Sequence, residues 1–282
     1  NIDREHLDYY RDIDDIKEAF VRFANIVPFY GVTILCSDDE HVRAVFPRIK
    51  RRTITYGLAD GADYQAKAIA LEGPESRYTI YHKGVRLGGI TLHVPGLFNV
   101  LNSMAAFAVA RELEMDFEAI REGLAAYRGV QRRLEVKGEV NGVTVVDDYG
   151  HHPTEILATL KAARQLWKGR LIVVFQPHRY TRTRALYREF LTCFPDADEL
   201  ILMDIYPASE PPIEGVTSFN LFKGIEAVGH RSARYIPSAD GIVSHLLETA
   251  RPGDVIITQG AGSVWKVGME FLKKAKEEKA RR

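Results

Sequence analysis

The sequence predicts an α/β chain whose first part is a mixed sheet with helices and whose second part is a doubly wound, mostly parallel, Rossmann-like sheet. Near-continuous apolar runs in the second part, such as "LIVVF" at 171–175, are typical of parallel strands buried on both faces. Apolar stripes at helical spacing alternate with these runs, as βα units require. In the first part, strand-like stretches alternate polar and apolar residues, which favours antiparallel strands.

The first part opens with a predicted helix over residues 12–25, whose apolar stripe consists of Ile13, Ile16, Phe20 and Phe23. A strand over 32–37 and a helix over 38–49 follow. The stretch "KGVRLGG" at 83–89 has the composition of a hairpin turn, so the neighbouring strands are expected to pair antiparallel. The alternating stretches are 52–58, 64–73, 76–84 and 88–94, and helices over 98–114 and 116–127 complete this part.

The second part is expected to begin near Gly129, where the last of these helices ends. We therefore assign residues 1–130 and 131–282 to separate domains, each long enough to bury its own core. Apolar runs predict strands over 143–147, 170–175, 199–204 and 254–259, and helical periodicity predicts helices over 153–167, 183–194, 239–250 and 263–278.

Charge and apolar content exclude several classes of protein. The chain has 38 basic and 38 acidic residues, so no chain-wide field favours nucleic acid or an anionic membrane. Its longest apolar runs are too short to span a bilayer, and no signal peptide precedes them. The lone cysteines Cys36 and Cys193 suit a reducing cytosol, so we expect a cytoplasmic protein. The chain opens at Asn1 directly in a charged motif, which is typical of a piece cut from a longer protein.

Polar side chains follow each predicted strand of the second part. In open α/β sheets ligands bind outside the carboxyl ends of the strands, so these side chains are expected to converge on one edge. The first strand end, "VVDDYGHHPTEI" at 145–156, carries Asp147, Asp148, Tyr149, His151 and His152. The second carries Gln176, His178, Arg179, Tyr180, Arg182 and Arg184, the third carries Asp204 and "YPASEPP", and the last carries "QGAGS" with Ser263.

Each of these sets also has a purely structural interpretation. His151 and His152 could cap a helix whose first turn contains Pro153. The arginines at 179–184 could be a solvated helix start, although cations there oppose the helix dipole and favour a bound anion. "GAGS" could be a tight turn, and Trp265 stands where a dinucleotide fingerprint needs glycine. The shared sheet edge favours the functional interpretation.

The first part has its own polar groups. Asp3, Glu5, His6 and Asp8 cluster before the opening helix, which could simply be a negatively charged helix start. Asn99 and Asn102 lie three residues apart and therefore share a helix face. Two amides on an otherwise apolar helix need hydrogen-bond partners, which an adenine edge or a phosphate would supply.

Six stretches together resemble the Mur ligase family: "NIDREHLDYY", "GLFNVLNSMAA", "QRRLE", "VVDDYGHHPTEI", "FQPHRYTRT" and "QGAGS". They occur in this order along essentially the whole chain. The third, fourth and fifth stretches most resemble the alanine-adding branch of the family.

The resemblance implies a ligase of three domains that bind UDP, ATP and an amino acid. Residues 1–130 would be the later part of the central ATP-binding domain, and 131–282 the C-terminal domain. In this chemistry ATP phosphorylates the lactyl carboxylate of UDP-N-acetylmuramate to an acyl phosphate, which the amine of L-alanine then attacks. Mg2+ and cationic side chains would neutralise the anionic oxygens.

The resemblance also implies roles for individual residues. His6 would be a magnesium ligand, Asn99 and Asn102 would contact adenine, Arg133 would lie near the terminal phosphate, and Asp148 would bind the ribose. The substrate and amino-acid pocket would be lined by Tyr149, His151, His178, Arg179 and Arg182, with Ser263 as a candidate for the alanine carboxylate. The implied catalytic set is Arg133, His151, His178 and Arg179.

Two departures from the family pattern stand out. Phe20 occupies the position at which several relatives carry a carbamoylated, metal-bridging lysine, a lysine that the alanine-adding branch also lacks. No phosphate-loop motif G-x-x-x-x-G-K-[ST] occurs in these residues. The resemblance places that loop before the "HLDYY" stretch, so this chain is expected to be inactive alone.

Other functions fit parts of the pattern. A murein tripeptide-recycling ligase or another Mur ligase has similar motifs, and a non-catalytic nucleotide-binding module would need no phosphate loop. Nucleotide titration with and without magnesium would separate these. The sequence leaves open whether the chain forms a homodimer, how selective it is for alanine over glycine or serine, and how a second magnesium site is built.

Overall fold

A computed structural model describes residues 1–230 and 232–281 of the chain. They divide into two compact units, Asn1–Gly129 and Val130–Arg282. Both units combine helices with a sheet, which confirms the predicted α/β class.

The elements of the first unit are α1 (Ile13–Ile26), β1 (Thr33–Cys36), α2 (Glu40–Val45), β2 (Thr53–Gly57), β3 (Tyr64–Glu72), β4 (Glu75–His82), β5 (Val85–Leu92), α3 (Leu97–Glu112) and α4 (Phe117–Ala126). The described part of this unit contains one sheet with the strand order β1-β2-β3-β4-β5. In this sheet β3, β4 and β5 pair antiparallel as predicted, but β2 pairs parallel to both β1 and β3, so the prediction was wrong for that strand. The contact of β2 with β3 is only two residue pairs long.

The hairpin between β4 and β5 is tighter than predicted. Lys83 and Gly84 both have positive φ, 48° and 83°, as a two-residue type I′ turn requires. Residues Val85–Gly88, which were predicted to belong to the turn, are therefore part of β5. The turn shifts the start of the strand but leaves its pairing antiparallel.

Helix α1 presents a different face to the core than the predicted stripe. The Asp12 carboxylate caps the helix by accepting from the backbone N–H groups of Asp14 and Asp15. Ile16 packs into the core as predicted, whereas Phe20 and Phe23 are 44% and 73% exposed. The predicted stripe follows helical spacing, but the small core that Ile16 enters also contains Val21 of α1 and, from other parts of the chain, Ile2, Val42 and Val45.

The elements of the second unit are β6 (Glu135–Val140), β7 (Val143–Asp148), α5 (Pro153–Leu166), β8 (Leu171–Phe175), α6 (Tyr180–Ala185), α7 (Tyr187–Phe190), β9 (Glu199–Leu202), α8 (Ser218–Ala227), β10 (Ala233–Tyr235), α9 (Ala239–Thr249), β11 (Val255–Gln259) and α10 (Trp265–Arg281). Its described residues contain a sheet with the order β10-β9-β8-β11-β7-β6. The five strands β7 to β11 are parallel to one another and β6 is antiparallel at one edge, which confirms the predicted mostly parallel sheet. The sequence pattern missed β6, α8 and β10, and the single helix predicted over 183–194 is broken at Leu186 into α6 and α7.

An ion network lies at the amino ends of the second sheet. The guanidinium of Arg170 binds both oxygens of the buried Asp254, at 3.2 and 2.7 Å. It also lies 3.4 Å from Glu199, whose other oxygen accepts from His245 at 2.9 Å and Arg234 at 3.0 Å. These residues start β8, β9 and β11 or pack against them, so the network fixes the strand ends that face away from the polar motifs.

Both cysteines, Cys36 and Cys193, are buried free thiols. Burial raises the pKa of the Cys193 thiol above its ordinary value, which disfavours the reactive thiolate. Across residues 1–230 and 232–281, every helix is too short or too polar to cross a bilayer.

We expect Arg170→Met to lower the free energy of unfolding by about 2 to 3 kcal/mol, because Asp254 and Glu199 would stay buried without this cation. Arg170 is 35% exposed, so solvent screening keeps the loss below that of a fully buried pair. Urea unfolding monitored by circular dichroism measures the effect. Arg188→Met, at an exposed position of α7, is the matched control. Equal midpoints for both variants would contradict a stabilising role for the network.

Candidate active site

The carboxyl ends of β7, β8, β9 and β11 lie along one edge of the second sheet. Asp148 and Phe175, the last residues of β7 and β8, both pair with Gln259, the last residue of β11. The ladder therefore places the polar segments that follow these strands next to one another. This row of strand ends is the candidate active site of the second unit.

Asp148 lies beneath this edge, with 1% of its surface exposed. Its Oδ1 accepts from the Gly150 N–H at 2.8 Å, Gln259 Nε2 at 2.9 Å and the Thr159 hydroxyl at 3.2 Å. Its Oδ2 accepts from the Leu134 N–H at 2.9 Å. A carboxylate with four internal donors holds its surroundings together, and its 1% exposure leaves almost no surface for direct contact with a ribose.

The ionisation of Asp148 reflects the same burial. Desolvation raises its pKa above the ordinary value, and the hydrogen bonds from Leu134 and Gly150 oppose that rise. Burial of a carboxylate is tolerated only when donors surround it. The four hydrogen bonds therefore belong to the fold of the loop as well as to the site.

Arg132 is a residue of this edge for which sequence reasoning gave no role. Its Nε donates to the buried Asp147 at 2.8 Å, and its Nη2 donates to the Gly260 carbonyl at 2.8 Å. The guanidinium lies 4.8 Å from the centre of the Tyr149 ring, and the backbone N–H of Tyr149 donates to the Arg132 carbonyl at 2.7 Å. The sequence does contain a sign of this contact, because the adjacent arginines of "QRRLE" and the adjacent aspartates of "VVDDY" are oppositely charged pairs.

The two adjacent histidines have different positions. His152 is buried and caps α5, with Nδ1 accepting from the Thr154 N–H at 3.3 Å, so the capping interpretation holds for this residue. Glu155 completes the capping box and accepts from the His151 N–H at 3.0 Å. Burial alone would raise the Glu155 pKa, but hydrogen bonds from His151 and His152 and the charges of His151 and Arg133 lower it.

The His151 ring instead faces the ring of His178, which follows β8. Their centroids are 5.7 Å apart, and Tyr149 packs edge-on against His151 at 5.5 Å. His151 Nδ1 lies 3.1 Å from the Tyr149 carbonyl oxygen. The structure therefore brings together three of the predicted pocket residues from two strand ends.

His178 is held between Arg182 and Tyr206. Its Nδ1 lies 3.1 Å from Arg182 Nη1, and its ring stacks on Tyr206 at 5.5 Å with an interplanar angle of 9°. Burial lowers the pKa of His178 to about 4, helped by the nearby charges of Arg182, His151 and Arg179. The ring is therefore neutral at neutral pH.

Arg179 meets an anion supplied by the chain itself. The residue has a φ of 71°, and its Nη1 lies 3.7 Å from Glu210 of the "YPASEPP" segment. The same carboxylate accepts from the Thr181 N–H at 3.0 Å and the Thr181 hydroxyl at 2.6 Å. Glu210 therefore fills the place at the start of α6 where the sequence suggested a bound anion.

The "QGAGS" turn is also occupied from within. The side-chain carbonyl of Gln176 accepts from the backbone N–H groups of Ser263, at 2.8 Å, and Val264, at 3.1 Å. The Ser263 hydroxyl lies 3.5 Å from the same side chain. Gln176 thus takes the N–H groups that a carboxylate would otherwise use at this helix start.

Arg133 lies near the pocket residues of the second unit. Both of its terminal nitrogens lie 3.3 Å from Glu155 Oε1, and its guanidinium is 6.0 Å from the Tyr149 ring. The side chain is exposed. It is thus paired loosely with a carboxylate of the same unit.

The remaining predicted site residues belong to the first unit. Asn99 and Asn102 both lie on α3, and Asn99 Nδ2 donates to the Pro95 carbonyl at 2.7 Å, while Asn102 is exposed. His6 is exposed, and its carbonyl accepts from the N–H groups of Tyr9 and Tyr10 at 2.9 Å each. In the part of the chain that the structure describes, no three His, Cys, Asp or Glu side chains form a metal-binding group.

Comparison with known proteins gives consistent matches over both units. The family "Mur ligase middle domain" matches residues 1–110, and "Mur ligase, glutamate ligase domain" matches 132–262. A UDP-N-acetylmuramate–L-alanine ligase from Syntrophus aciditrophicus is 60% identical over 277 residues, which cover 98% of this chain and 58% of that protein. The chain thus spans little more than half the length of this relative.

Solved structures share the fold at low sequence identity. A UDP-N-acetylmuramate-alanine ligase from Thermotoga maritima aligns with a TM-score of 0.75 at 22% identity, covering 97% of this chain and 58% of that one. MurF ligase from the same organism, solved in complex with ADP, aligns with a TM-score of 0.72 at 18% identity, covering 99% and 61%.

We expect Asp148→Ala to lower the free energy of unfolding of the ligand-free chain by about 2 to 4 kcal/mol, because it orphans several buried donors at once. Urea unfolding measures this, and Asp240→Ala, at an exposed position in α9, is the control. A ribose-binding role alone would instead leave the stability unchanged and weaken nucleotide binding. Unaltered stability of the Asp148 variant would therefore contradict the structural role.

We expect the His178 ring to titrate near pH 4, well below 6.5. Because the unfolded chain takes up this proton first, the stability linked to His178 is complete above pH 6.5 and is lost as the pH falls toward 4. NMR titration of the ring measures the pKa. Arg182→Met should raise it by removing a cation, whereas Arg184→Met, at an exposed position of the same helix, should not. Titration of the wild-type ring near 6.5 would contradict the prediction.

Proposed function

The chain belongs to the Mur ligase family, as its motifs indicated, and on that premise we propose that it is part of an ATP-dependent ligase joining L-alanine to UDP-N-acetylmuramate in peptidoglycan precursor synthesis. The observation that carries the proposal is the 60% identity to a ligase of that name, over almost the whole chain. Residues 1–130 would be the later part of the central ATP-binding domain and 131–282 the amino-acid-binding domain. A cytoplasmic location fits a soluble nucleotide-linked substrate.

The reaction concentrates negative charge, and the second unit supplies cations for it. ATP would phosphorylate the lactyl carboxylate, the alanine amine would attack the acyl phosphate, and inorganic phosphate would leave. Arg179 and Arg182 follow β8 and would hold anionic substrate groups, and Arg133 would contact the terminal phosphate. His151 and His178 would face the reacting carbonyl, with Tyr149 beside them.

The first unit would contribute to nucleotide and metal binding. Asn102 is exposed on α3 and would contact the adenine edge, whereas the Asn99 amide nitrogen already bonds Pro95 and would contribute through its oxygen. His6 is a single exposed imidazole, which fits a Mg2+ ion whose remaining ligands are phosphate oxygens and water. Bound there, the ion would neutralise phosphate charge.

Asp148 and Ser263 would have less direct roles than the family resemblance implied. Asp148 would support the nucleotide side by fixing Leu134 and the Gly150 turn, since its own oxygens are engaged by four donors. Ser263 would contribute through its hydroxyl, because its N–H is bonded to Gln176. The alanine carboxylate would then depend mainly on the arginines.

The experiment uses a chimera in which this chain replaces the matching 58% of the Syntrophus ligase. Phosphate release is measured with ATP, Mg2+ and UDP-N-acetylmuramate, with and without L-alanine. The proposal requires release that depends on alanine. Release with a murein tripeptide in place of alanine would indicate a recycling ligase, and nucleotide binding without turnover would indicate a binding module; either outcome overturns the proposal.

The chain alone is the matched control. We expect its phosphate release to stay at background, because its 282 residues contain no phosphate-loop motif to hold the β and γ phosphates. Release within about tenfold of the chimera would contradict this expectation, since phosphoryl transfer depends almost entirely on positioning and charge neutralisation.

A further inference from the structure

The two histidine rings of the candidate active site are held by hydrogen bonds of opposite polarity. His151 Nδ1 lies 3.1 Å from the carbonyl oxygen of Tyr149, and a carbonyl can only accept. His178 Nδ1 lies 3.1 Å from Arg182 Nη1, and a guanidinium can only donate. Nδ1 therefore carries the hydrogen in His151 and the lone pair in His178.

The protonation of the other ring nitrogen, Nε2, follows from the chemistry of imidazole. A neutral ring has one N–H and one lone pair, and the bond made at one nitrogen fixes the state of the other. His151 Nε2 is therefore a proton acceptor, and His178 Nε2–H is a hydrogen-bond donor. The centroids of these rings are 5.7 Å apart, so the two imidazoles are neighbours at the carboxyl edge of the sheet.

The surroundings favour these two states. Glu155 Oε2 lies 3.8 Å from His151 Nδ1, which favours a hydrogen on that nitrogen. Around His178, burial and the charges of Arg182 and Arg179 oppose a second proton, while Glu210 favours one and is outweighed. The stacked Tyr206 ring fixes the plane of His178.

We propose that His151 Nε2 accepts the proton of the attacking amine and that His178 Nε2–H donates a hydrogen bond to the reacting carbonyl oxygen. The Tyr149 carbonyl and Arg182 are then positioning groups that fix the two tautomers. This assignment rests on the ligase function proposed above. It makes His151 the base and His178 the hydrogen-bond donor to the oxyanion.

The step balances in atoms and charge. The neutral amine forms a C–N bond to the acyl phosphate carbon, and the carbonyl π electrons move to oxygen, where His178 Nε2–H stabilises them. His151 Nε2 takes one proton from the attacking nitrogen. The oxyanion electrons then restore the C=O bond, the C–O bond to phosphate breaks, and the proton passes from His151 to the departing phosphate, which leaves as hydrogen phosphate.

The first test needs only the 282-residue chain. Long-range 1H–15N NMR of 15N-histidine-labelled protein at neutral pH distinguishes the two tautomers of each ring. The proposal requires Nδ1–H for His151 and Nε2–H for His178. The same tautomer in both rings, or a protonated His178, would overturn it, whatever the enzymatic activity of the chimera.

The second test compares amide substitutions in the chimera. Glutamine retains an N–H donor near the Nε2 position and asparagine does not, so His178→Gln should keep most of kcat and His178→Asn should lose about 10²- to 10³-fold. Neither amide can accept a proton, so both His151→Gln and His151→Asn should lose about 10²- to 10⁴-fold, with KM for ATP unchanged.

Matched substitutions at His93, an exposed histidine of the first unit, provide the control. Equal loss in His178→Gln and His178→Asn, or an active His151→Gln variant, would overturn the assignment while the wild-type chimera remained active. An inactive wild-type chimera would instead contradict the proposed ligase function, and the tautomers read by NMR would still test the geometry.

Discussion

The candidate active site depends on one buried carboxylate, that of Asp148. It is an acceptor only, so each segment that meets it must present a donor: the entry segment at Leu134, the turn at Gly150, α5 at Thr159 and β11 at Gln259. Gln259 illustrates the constraint. Its Nε2 must face Asp148, so its Oε1 points into the interior, where it has no hydrogen-bond partner among the described residues. A buried orphan acceptor costs about 1 to 3 kcal/mol, which the fold tolerates to keep the four segments together.

The two ends of the second sheet carry different sets of charged side chains. At the amino ends, Arg170, Asp254 and Glu199 form a network whose carboxylates are 9% exposed or less at their side chains. At the carboxyl ends, arginines, histidines and carboxylates remain partly exposed beside the loops. Parallel strands produce this separation because all of them run in the same direction, so every following loop reaches the same edge. The buried network therefore lies at the end of the sheet opposite the loops of the candidate active site.

The sequence was sufficient to predict the features that depend on periodicity and strand direction. Apolar runs predicted the parallel strands, and strand direction predicted that His151 and His178 would share an edge. Features that depend on a hydrogen-bond partner distant in sequence were not predictable: Gln176 fills the N–H groups of the Ser263 turn, and Glu210 meets Arg179. For the same reason, the sequence could not show which of the adjacent residues His151 and His152 caps α5, because that depends on the geometry of the rings. The parallel pairing of β2 was missed because alternation reports a half-buried face and carries no direction.

The arginines of the site are already paired before any substrate binds, and the strength of each pair decides whether it can be exchanged. Arg132 bonds the buried Asp147 at 2.8 Å, and breaking such a pair leaves a buried charge, so this arginine stays with the fold. Arg133 and Arg179 lie 3.3 and 3.7 Å from Glu155 and Glu210, and the side chains of these arginines are 42% and 35% exposed. Pairs of that kind contribute about 0 to 1 kcal/mol, less than the charge-assisted, bidentate bonds that a guanidinium can make to phosphate. The carboxylates therefore orient these two arginines at little cost to anion binding, which is the condition for a preorganised site.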